Sequence, residues 1–367
     1  MKKIGIDARL YFQTGVGVYL RNFLFNLQKI APADFTFFVY VQNEDNEKIV
    51  FKSKKFIKRA VNDKWHSVGE QSRFLGELNK DNLDLMHFTY FGYPVLYLRP
   101  FIATIHDLTP LLFKTGRSST RNPLVYNLKH LAFRFVVKSQ VRNAKYIITP
   151  TKSIRAQIAQ TFGRRYLKKI YPIYEGINRE LLGAKENTAL GRRFKQPFFL
   201  YVGNFYPHKN VERLILAFSS IKSGAQLVLV GPDDFFADRT RELINKLNQE
   251  RKIILFYNPK IEDFVFFYKN ALALVHPSLA EGFGLPLVEA MHFGLPIIAS
   301  DIQVFKEVLG DQYLSFDPRN VNDLKNKIDE FLKKHPGFDY KGLLPKYSFE
   351  EMTKKTLGVY NKAIYGR

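Results

Sequence analysis

Two glutamates bracket a glycine loop in the stretch SLAEGFGLPLVEAM, Ser278 to Met291. Glu281 and Glu289 have Gly282-Phe283-Gly284-Leu285-Pro286 between them, in a chain whose carboxylates are outnumbered, 34 against 56 Lys and Arg. A carboxylate is a double acceptor, suited to gripping the paired hydroxyls of a ribose or a hexose. Pro286 fits the first turn of a helix through PLVEAMHFG. That places the amides of Gly282 to Leu285 at a helix start, where N–H groups without intrahelical acceptors favour an anion. The stretch predicts a diphosphate on main-chain amides with one sugar hydroxyl pair on each side. Taken singly, Glu289 reads equally well as a helix-start acid favoured by the dipole, and Glu281 as a loop acid.

Other residues could serve the same chemistry. In YVGNFYPHKN, Gly203 and Asn204 follow an apolar run and Lys209 precedes a helix, where a point cation could neutralise a diphosphate. A lone lysine is more often a solvated surface charge. His106 in TIHDL ends a strand and could donate to a sugar hydroxyl or a phosphate oxygen; a histidine bonded within its own loop is an equal reading. Gly15 and Gly17 in TGVGVYL lie between a first strand and a first helix, but Leu20 stands where the third glycine of a dinucleotide fingerprint would fall. They predict either a loop whose amides approach a phosphate or a tight turn. No G-x-S-x-G elbow accompanies His106, so a nucleophile triad is excluded.

These residues need sheet ends to hold them. KIGIDA, FTFFVYV, LDLMHF, FIATIHD and KYIITP read as strands separated by helix-length segments. Leu20, Phe23, Leu24, Leu27 and Ile30 trace one buried face of the first helix. This rhythm predicts a parallel sheet covered on both faces. It pauses at NRELLGAKENTALGRRFKQ and restarts with PFFLYVGN, AQLVLVG, KIILF, ALALVHPS and LPIIAS. The expected domains are 1–177, a linker at 178–196, 197–346, and a final helix over 347–367 that opens with Ser348 and Glu351 in capping-box spacing. Two doubly wound domains leave a cleft outside the carboxyl ends of their strands, where such folds take ligands.

Bulk composition agrees. A chain of 367 residues, 46% hydrophobic and 15% aromatic, supports two cores and excludes disorder. With no cysteine it has neither disulfides nor thiolate metal sites. Asp7 and Arg9 interrupt any signal-peptide core, and no apolar run reaches the roughly 18 residues of a spanning helix. Residues 1–175 carry 29 Lys and Arg against 12 Asp and Glu, net +17, leaving +5 of the total +22 for the rest. Leu108 to Tyr174 holds fourteen cations and no acid. A one-sided field of this kind points to a polyanion.

Assembled, these residues resemble the retaining glycosyltransferases of family 4, of the two-domain GT-B fold. HPSLAEGFGLPLVEAMHFGLPIIASD is similar to that family's E-x7-E segment. DARLYFQTGVGVYL, HDLTPLLF, TPTKSIRAQI, YEGIN and YVGNFYPHKN follow in the family's order, so the likeness covers essentially the whole chain. It implies two Rossmann-like domains facing across a cleft, with the final helix crossing back to the first. It implies that Glu289 holds the donor ribose and that Glu281 contacts the donor hexose near its 3- and 4-hydroxyls and the reacting centre. Lys209, with the amides of Phe283 to Leu285, would bind the diphosphate and stabilise it as it leaves. Gly15 and Gly17 would let their loop close on it, and His106 would reach the hexose near its 6-hydroxyl. Gly203, Asn204 and Gly282 complete the implied donor site. No metal and no cofactor is implied. Many family members carry an arginine where this chain has Asn204, which places more of the neutralisation on Lys209.

The resemblance gives Glu281 a hydroxyl-binding role, not the nucleophile of a double displacement. The expected course is therefore a one-face reaction in which the leaving phosphate takes the acceptor's proton. GDP-mannose ranks first as donor and UDP-sugars next. The acceptor expected is a glycan or lipid-linked saccharide in cell-surface polysaccharide or glycolipid synthesis. Arg134, Lys138, Arg142 and Lys145 recur at helical spacing, and Phe51 to Arg59 adds further cations. They suggest contact with an anionic membrane, for a cytoplasmic protein or one held peripherally at the inner face. The alternatives are another GT-B enzyme, an epimerase or phosphorylase, and a basic nucleic-acid-binding protein. No recognised nucleic-acid motif is present, and none is expected as a partner.

Overall fold

The computed structural model describes residues 1–113 and 123–366. The chain forms two compact units. The first comprises residues 1–111, the described part of 119–176, and the chain from Ser348 on. The second contains Ile177–Tyr347.

In the first unit seven parallel strands run β1 (Lys2–Asp7), β2 (Phe35–Gln42), β3 (Phe56–Val61), β4 (Leu85–Phe88), β5 (Phe101–Thr104), β6 (Tyr146–Thr149) and β7 (Ile170–Pro172). Their order across the sheet is β3-β2-β1-β4-β5-β6-β7. β4 and β5 are buried along their length and β1 from Ile4 on, as a parallel sheet covered by helices requires. Leu20, Phe23, Leu24 and Leu27 of the helix Val16–Ile30 are buried and Ile30 is half-buried, the face expected from spacing. The strands β3 and β7 went unread. β3 lies within the basic run Phe51 to Arg59, whose cations are largely spent locally. Lys55 donates to the carbonyls of Ala31 and Pro32, Lys58 to those of Asn46 and Ile49, and Arg59 pairs with Asp81 at 2.8 Å. β3 is also the edge strand opposite β7, so this run does not extend the surface near β6.

The second unit holds β8 (Phe198–Val202), β9 (Gln226–Gly231), β10 (Ile253–Tyr257), β11 (Leu274–His276), β12 (Ile297–Ser300) and β13 (Leu314–Phe316), in the order β10-β9-β8-β11-β12-β13. All its pairings are parallel. Only β13, a three-residue strand, escaped the sequence reading. Residues 178–196 are not a bare connection. Leu181 and Phe194 are buried, and Asn187 donates to Asp263 at 2.7 Å, so the segment packs within the second unit.

The final helix, Phe349–Tyr365, is capped by Ser348, whose hydroxyl accepts from the Glu351 amide at 3.3 Å. It packs in the first unit, as expected. Tyr360 meets His87 Nδ1 of β4 at 2.7 Å, and His87 Nε2 meets the Thr104 hydroxyl of β5 at 2.8 Å.

In each sheet the strand order reverses beside the first strand of the unit, between β1 and β4 and between β8 and β11. Ligands of open parallel sheets bind outside the carboxyl ends at such switch points. The loops after β1, β8 and β11 are those that carry Gly15 and Gly17, Lys209, and Glu281.

Candidate functional site

The second unit brings Lys209 and Glu281 together from the loops after β8 and β11. Lys209 Nζ donates to Glu281 Oε1 at 2.6 Å. The same oxygen accepts from His276 Nε2 at 3.0 Å and from the Ser278 hydroxyl at 2.7 Å. Burial alone would raise the Glu281 carboxyl. The Lys209 charge and the His276 hydrogen bond outweigh it and hold the group well below the usual carboxylate range. Glu281 is thus an ionised acceptor with no proton to give near neutrality. Its Oε1 is saturated, while its Oε2 has no partner among the described residues.

His276 is fully buried, and burial lowers its pKa. Its Nδ1 has no partner among the described residues, which fits a neutral ring donating through Nε2. Sequence reasoning missed both His276 and Ser278 as site residues. Their signal was present: His276 ends β11 and Ser278 follows it, five and three positions before Glu281.

Glu289 lies apart from this cluster. It is the fifth residue of the helix Leu285–His292, beyond the first turn, which contains no acid. The helix-start explanation for Glu289 therefore fails. The residue is buried, its Oε2 accepts from Tyr268 Oη at 2.7 Å, and burial pushes its carboxyl up to about 7 against the pull of that bond. Tyr268 stands on the helix Ile261–Asn270, far upstream in sequence, and no local pattern marked it.

Gly284 caps the helix Leu285–His292 at φ 95°, a conformation that excludes most side chains. Phe283 beside it is buried against Tyr347. In this first turn Pro286 has no N–H and the Leu287 amide donates to the Gly284 carbonyl at 2.9 Å, while the amides of Phe283, Gly284 and Leu285 have no partner among the described residues. Gly203 follows β8, and the Asn204 carbonyl accepts from Tyr201 at 2.5 Å. The Asn204 side chain reaches its own loop, 3.4 Å from the Tyr206 amide, and brings no charge. A separate cavity of about 270 Å³ lies between Phe205, Arg213, Phe236 and Arg239, and neither Lys209, Glu281 nor Glu289 lines it.

In the first unit, His106 follows β5 and is nearly buried. Its Nδ1 lies 3.0 Å from Glu175 Oε1 and its Nε2 lies 3.1 Å from the Thr89 carbonyl. Both ring nitrogens therefore face acceptors, so a sugar hydroxyl must compete with Thr89 to reach the ring. Glu175, of the YEGIN stretch, was not read as a site residue. It is the acid that ends the acid-free run, and only the structure shows it buried beside His106. Gly15 initiates the helix Val16–Ile30 at φ 63°. A Cβ at Gly17 would stand 2.7 Å from the Tyr11 carbonyl and 3.1 Å from that of Leu10, so the loop closes tightly there.

The cationic stripe lies on the helix Pro123–Asn143, whose Val137 and Val141 are buried. Arg134, Lys138 and Arg142 are exposed, and Leu131 and Phe135 share their face at 61% and 63% exposure. Lys145 leaves the stripe. It follows the end of the helix, and its ammonium donates to the Ala363 carbonyl at 2.5 Å. Residues 114–122 of the acid-free run lie outside the described residues. Among the described residues, no helix is long and apolar enough to cross a membrane.

Comparison with known proteins adds to this geometry. Residues 14–181 match the family described as Glycosyltransferase Family 4, and residues 184–339 match Glycosyl transferases group 1. An O-antigen chain mannosyltransferase of Escherichia coli is 31% identical over 276 residues, covering 71% of this chain and 69% of that protein. One from Salmonella typhimurium is 28% identical over 244 residues, and the match covers 64% of each chain. Among solved structures, a sucrose-phosphate synthase from Thermosynechococcus elongatus superposes over 100% of both chains with a TM-score of 0.80 at 18% identity. At that identity the likeness speaks for the fold.

Proposed function

The chain belongs to the family 4 glycosyltransferases, and we propose that it moves a hexose from a nucleotide sugar to a glycan or lipid-linked acceptor in cell-surface polysaccharide synthesis. The observation that carries this reading is the state of Glu281. It is largely but not fully buried, ionised, saturated on one oxygen by Lys209, His276 and Ser278, and open on the other. Such a carboxylate accepts sugar hydroxyls, and the lysine beside it neutralises a departing diphosphate. Glu289 takes the ribose hydroxyls, and the amides of Phe283 to Leu285 take diphosphate oxygens.

The transfer proceeds on one face with retention and without a metal. The leaving phosphate accepts the acceptor's proton while Lys209 and the helix start hold its charge. Mannose from GDP-mannose is the first donor, a choice supported by two relatives named as O-antigen chain mannosyltransferases. His106 orients the hexose near its 6-hydroxyl.

A thermal-shift panel of GDP-mannose, UDP-glucose, UDP-galactose and UDP-N-acetylglucosamine tests the donor. GDP-mannose should raise the melting temperature most, and its turnover should survive chelator. The reading fails if no nucleotide sugar shifts melting and none is consumed with any saccharide acceptor. A covalent sugar trapped on Glu281 would overturn the one-face mechanism.

The exposed face of Leu131, Arg134, Phe135, Lys138 and Arg142 docks this protein peripherally on anionic lipid at the cytoplasmic side. Vesicles containing phosphatidylglycerol should sediment it in a salt-sensitive way. Equal sedimentation with neutral vesicles would remove the electrostatic part of this proposal.

A further inference from the structure

We propose that Asn210 is a positioning residue that sets the spacing of Lys209 and Glu281 by bracing three loops at the carboxyl edge of the second sheet. The inference rests on the reading of that pair as the grip on a donor diphosphate. It extends that reading to a residue that touches neither charge.

Asn210 follows Lys209 directly and caps the helix Val211–Ser219 in the left-handed region, at φ 61° and ψ 27°. Glycine and asparagine occupy that region at low cost, and most other side chains do not. Asparagine adds what glycine lacks. Its Nδ2 donates to the Pro277 carbonyl at 2.9 Å and to the Pro318 carbonyl at 2.7 Å, and its Oδ1 accepts from an Arg213 guanidinium nitrogen at 2.6 Å. Both amide hydrogens and the oxygen are thus engaged, in a residue only 5% exposed.

The partners give this brace its consequence. Pro277 stands between His276 and Ser278, two of the donors to Glu281, and Asn210 adjoins the third, Lys209. One buried amide therefore ties together the main chain that carries all three donors. Pro318 fixes the same amide to the loop after β13, on the far side of β12. A main-chain bond from the Leu279 amide to the His208 carbonyl, at 2.7 Å, and the Lys209 contact also tie the loops after β8 and β11. Without the amide, the buried Pro277 carbonyl and the half-buried Pro318 carbonyl lose this donor and the loops are free to separate. Lys209 and Glu281 would then be misplaced although both remain present.

Asn210→Gly keeps the left-handed backbone and removes only the brace, whereas Asn210→Asp keeps the shape but faces the two carbonyls with acceptors. Calorimetry with GDP and GMP separates the diphosphate grip from the rest of the site. Asn210→Gly should bind GDP about 30-fold more weakly than wild type while GMP changes by less than about threefold. In Asn210→Asp the ratio of GDP to GMP affinity, which cancels the shared ribose, should rise as pH falls from about 8 to about 5.5, because the protonated acid recovers one donor. A merely structural residue would lower melting temperature and weaken both ligands alike. GDP affinity within about threefold of wild type in Asn210→Gly overturns the proposal. If that variant does not fold, the pH response of Asn210→Asp decides in its place, and a flat profile overturns it. If wild type binds neither nucleotide, the donor reading fails by itself. Hydrogen exchange at the Leu279 amide then judges the brace, and equal protection in wild type and Asn210→Gly overturns it.

Discussion

Glu281 and Glu289 are separated by eight positions, share nearly complete burial, and end in opposite electrostatic states. Burial alone raises the pKa of any carboxyl. At Glu289 little opposes it: one phenol, Tyr268, donates to the carboxylate, and the group titrates at about 7. At Glu281 a lysine, a histidine and a serine converge on one oxygen, and the group stays ionised. Sequence spacing made the two acids look like a pair. Their surroundings give them different duties, one a fixed negative charge beside the lysine and the other a carboxyl whose ionisation follows the ambient pH.

Removing the ionised member should break this contrast most severely. Glu281→Gln leaves Lys209 partly buried without its counter-ion, a change that costs about 3–5 kcal/mol in comparable buried pairs. Turnover should fall by about 1000-fold, with a smaller effect on donor KM, as read by steady-state kinetics. The stability sign also follows. The folded pKa of Glu281 is depressed, so its contribution is present above the ordinary carboxyl value and fades as pH falls. Glu281→Gln should therefore unfold more easily than wild type near neutrality, and the difference should narrow in acid.

Lys209→Ala should come next, losing about 100-fold in turnover because the leaving diphosphate lacks its cation. Binding of GDP should weaken more than binding of GMP. Equal weakening of both would detach Lys209 from the diphosphate.

Glu289 carries the opposite sign. Its folded pKa of about 7 lies above the ordinary 4.5. The stability it contributes is complete below the ordinary value and is lost as pH rises through 7. Glu289→Gln should thus stabilise the free protein at about pH 8, by about 1–3 kcal/mol, and do little at about pH 4. Ribose hydroxyls need the ionised form as acceptor. Donor affinity should consequently drop by about tenfold for each pH unit below 7 and level off above it. A donor affinity flat from about pH 5.5 to about pH 8 would remove Glu289 from the ribose.

Tyr268→Phe is the gentlest test of the comparison. Its hydroxyl lowers the Glu289 pKa, so its loss should move the midpoint of donor binding upward. Affinity should decline about three- to fivefold at neutrality, and the difference should vanish at about pH 9.

Much of this was open to a reader of the sequence. Hydrophobic periodicity marked the first helix and five strands of each sheet, because a parallel sheet buried on both faces leaves unbroken apolar runs. The strands it missed explain themselves. β3, FIKRAV, carries Lys58 and Arg59 in the run read as a cationic surface, while β7 and β13 are only three residues long. Lys209 and Glu281 were legible as candidates because each lies in a loop before a helix marked by nearby glycines and prolines, and Glu289 because it lies on the helix that follows that second loop. Asn210 was quoted in PHKN without a role, since a capping asparagine and a brace have the same local sequence. Tyr268 and Glu175 were invisible. Their partners lie 21 and 69 positions away, and no local rule connects them.

The sequence by itself determined where the ligand-bearing loops stand, since the alternation of apolar runs and turn residues places them after particular strands. Chain order and glycine positions suffice for that. Only the tertiary structure decided what the loops hold. The charge on a buried carboxyl depends on the donors gathered around it, and at each acid one of them is distant in the chain: Lys209 lies 72 positions from Glu281 and Tyr268 lies 21 from Glu289. Glu281 is held ionised by loops that meet where the strand order reverses, whereas Glu289 meets a single phenol from another helix.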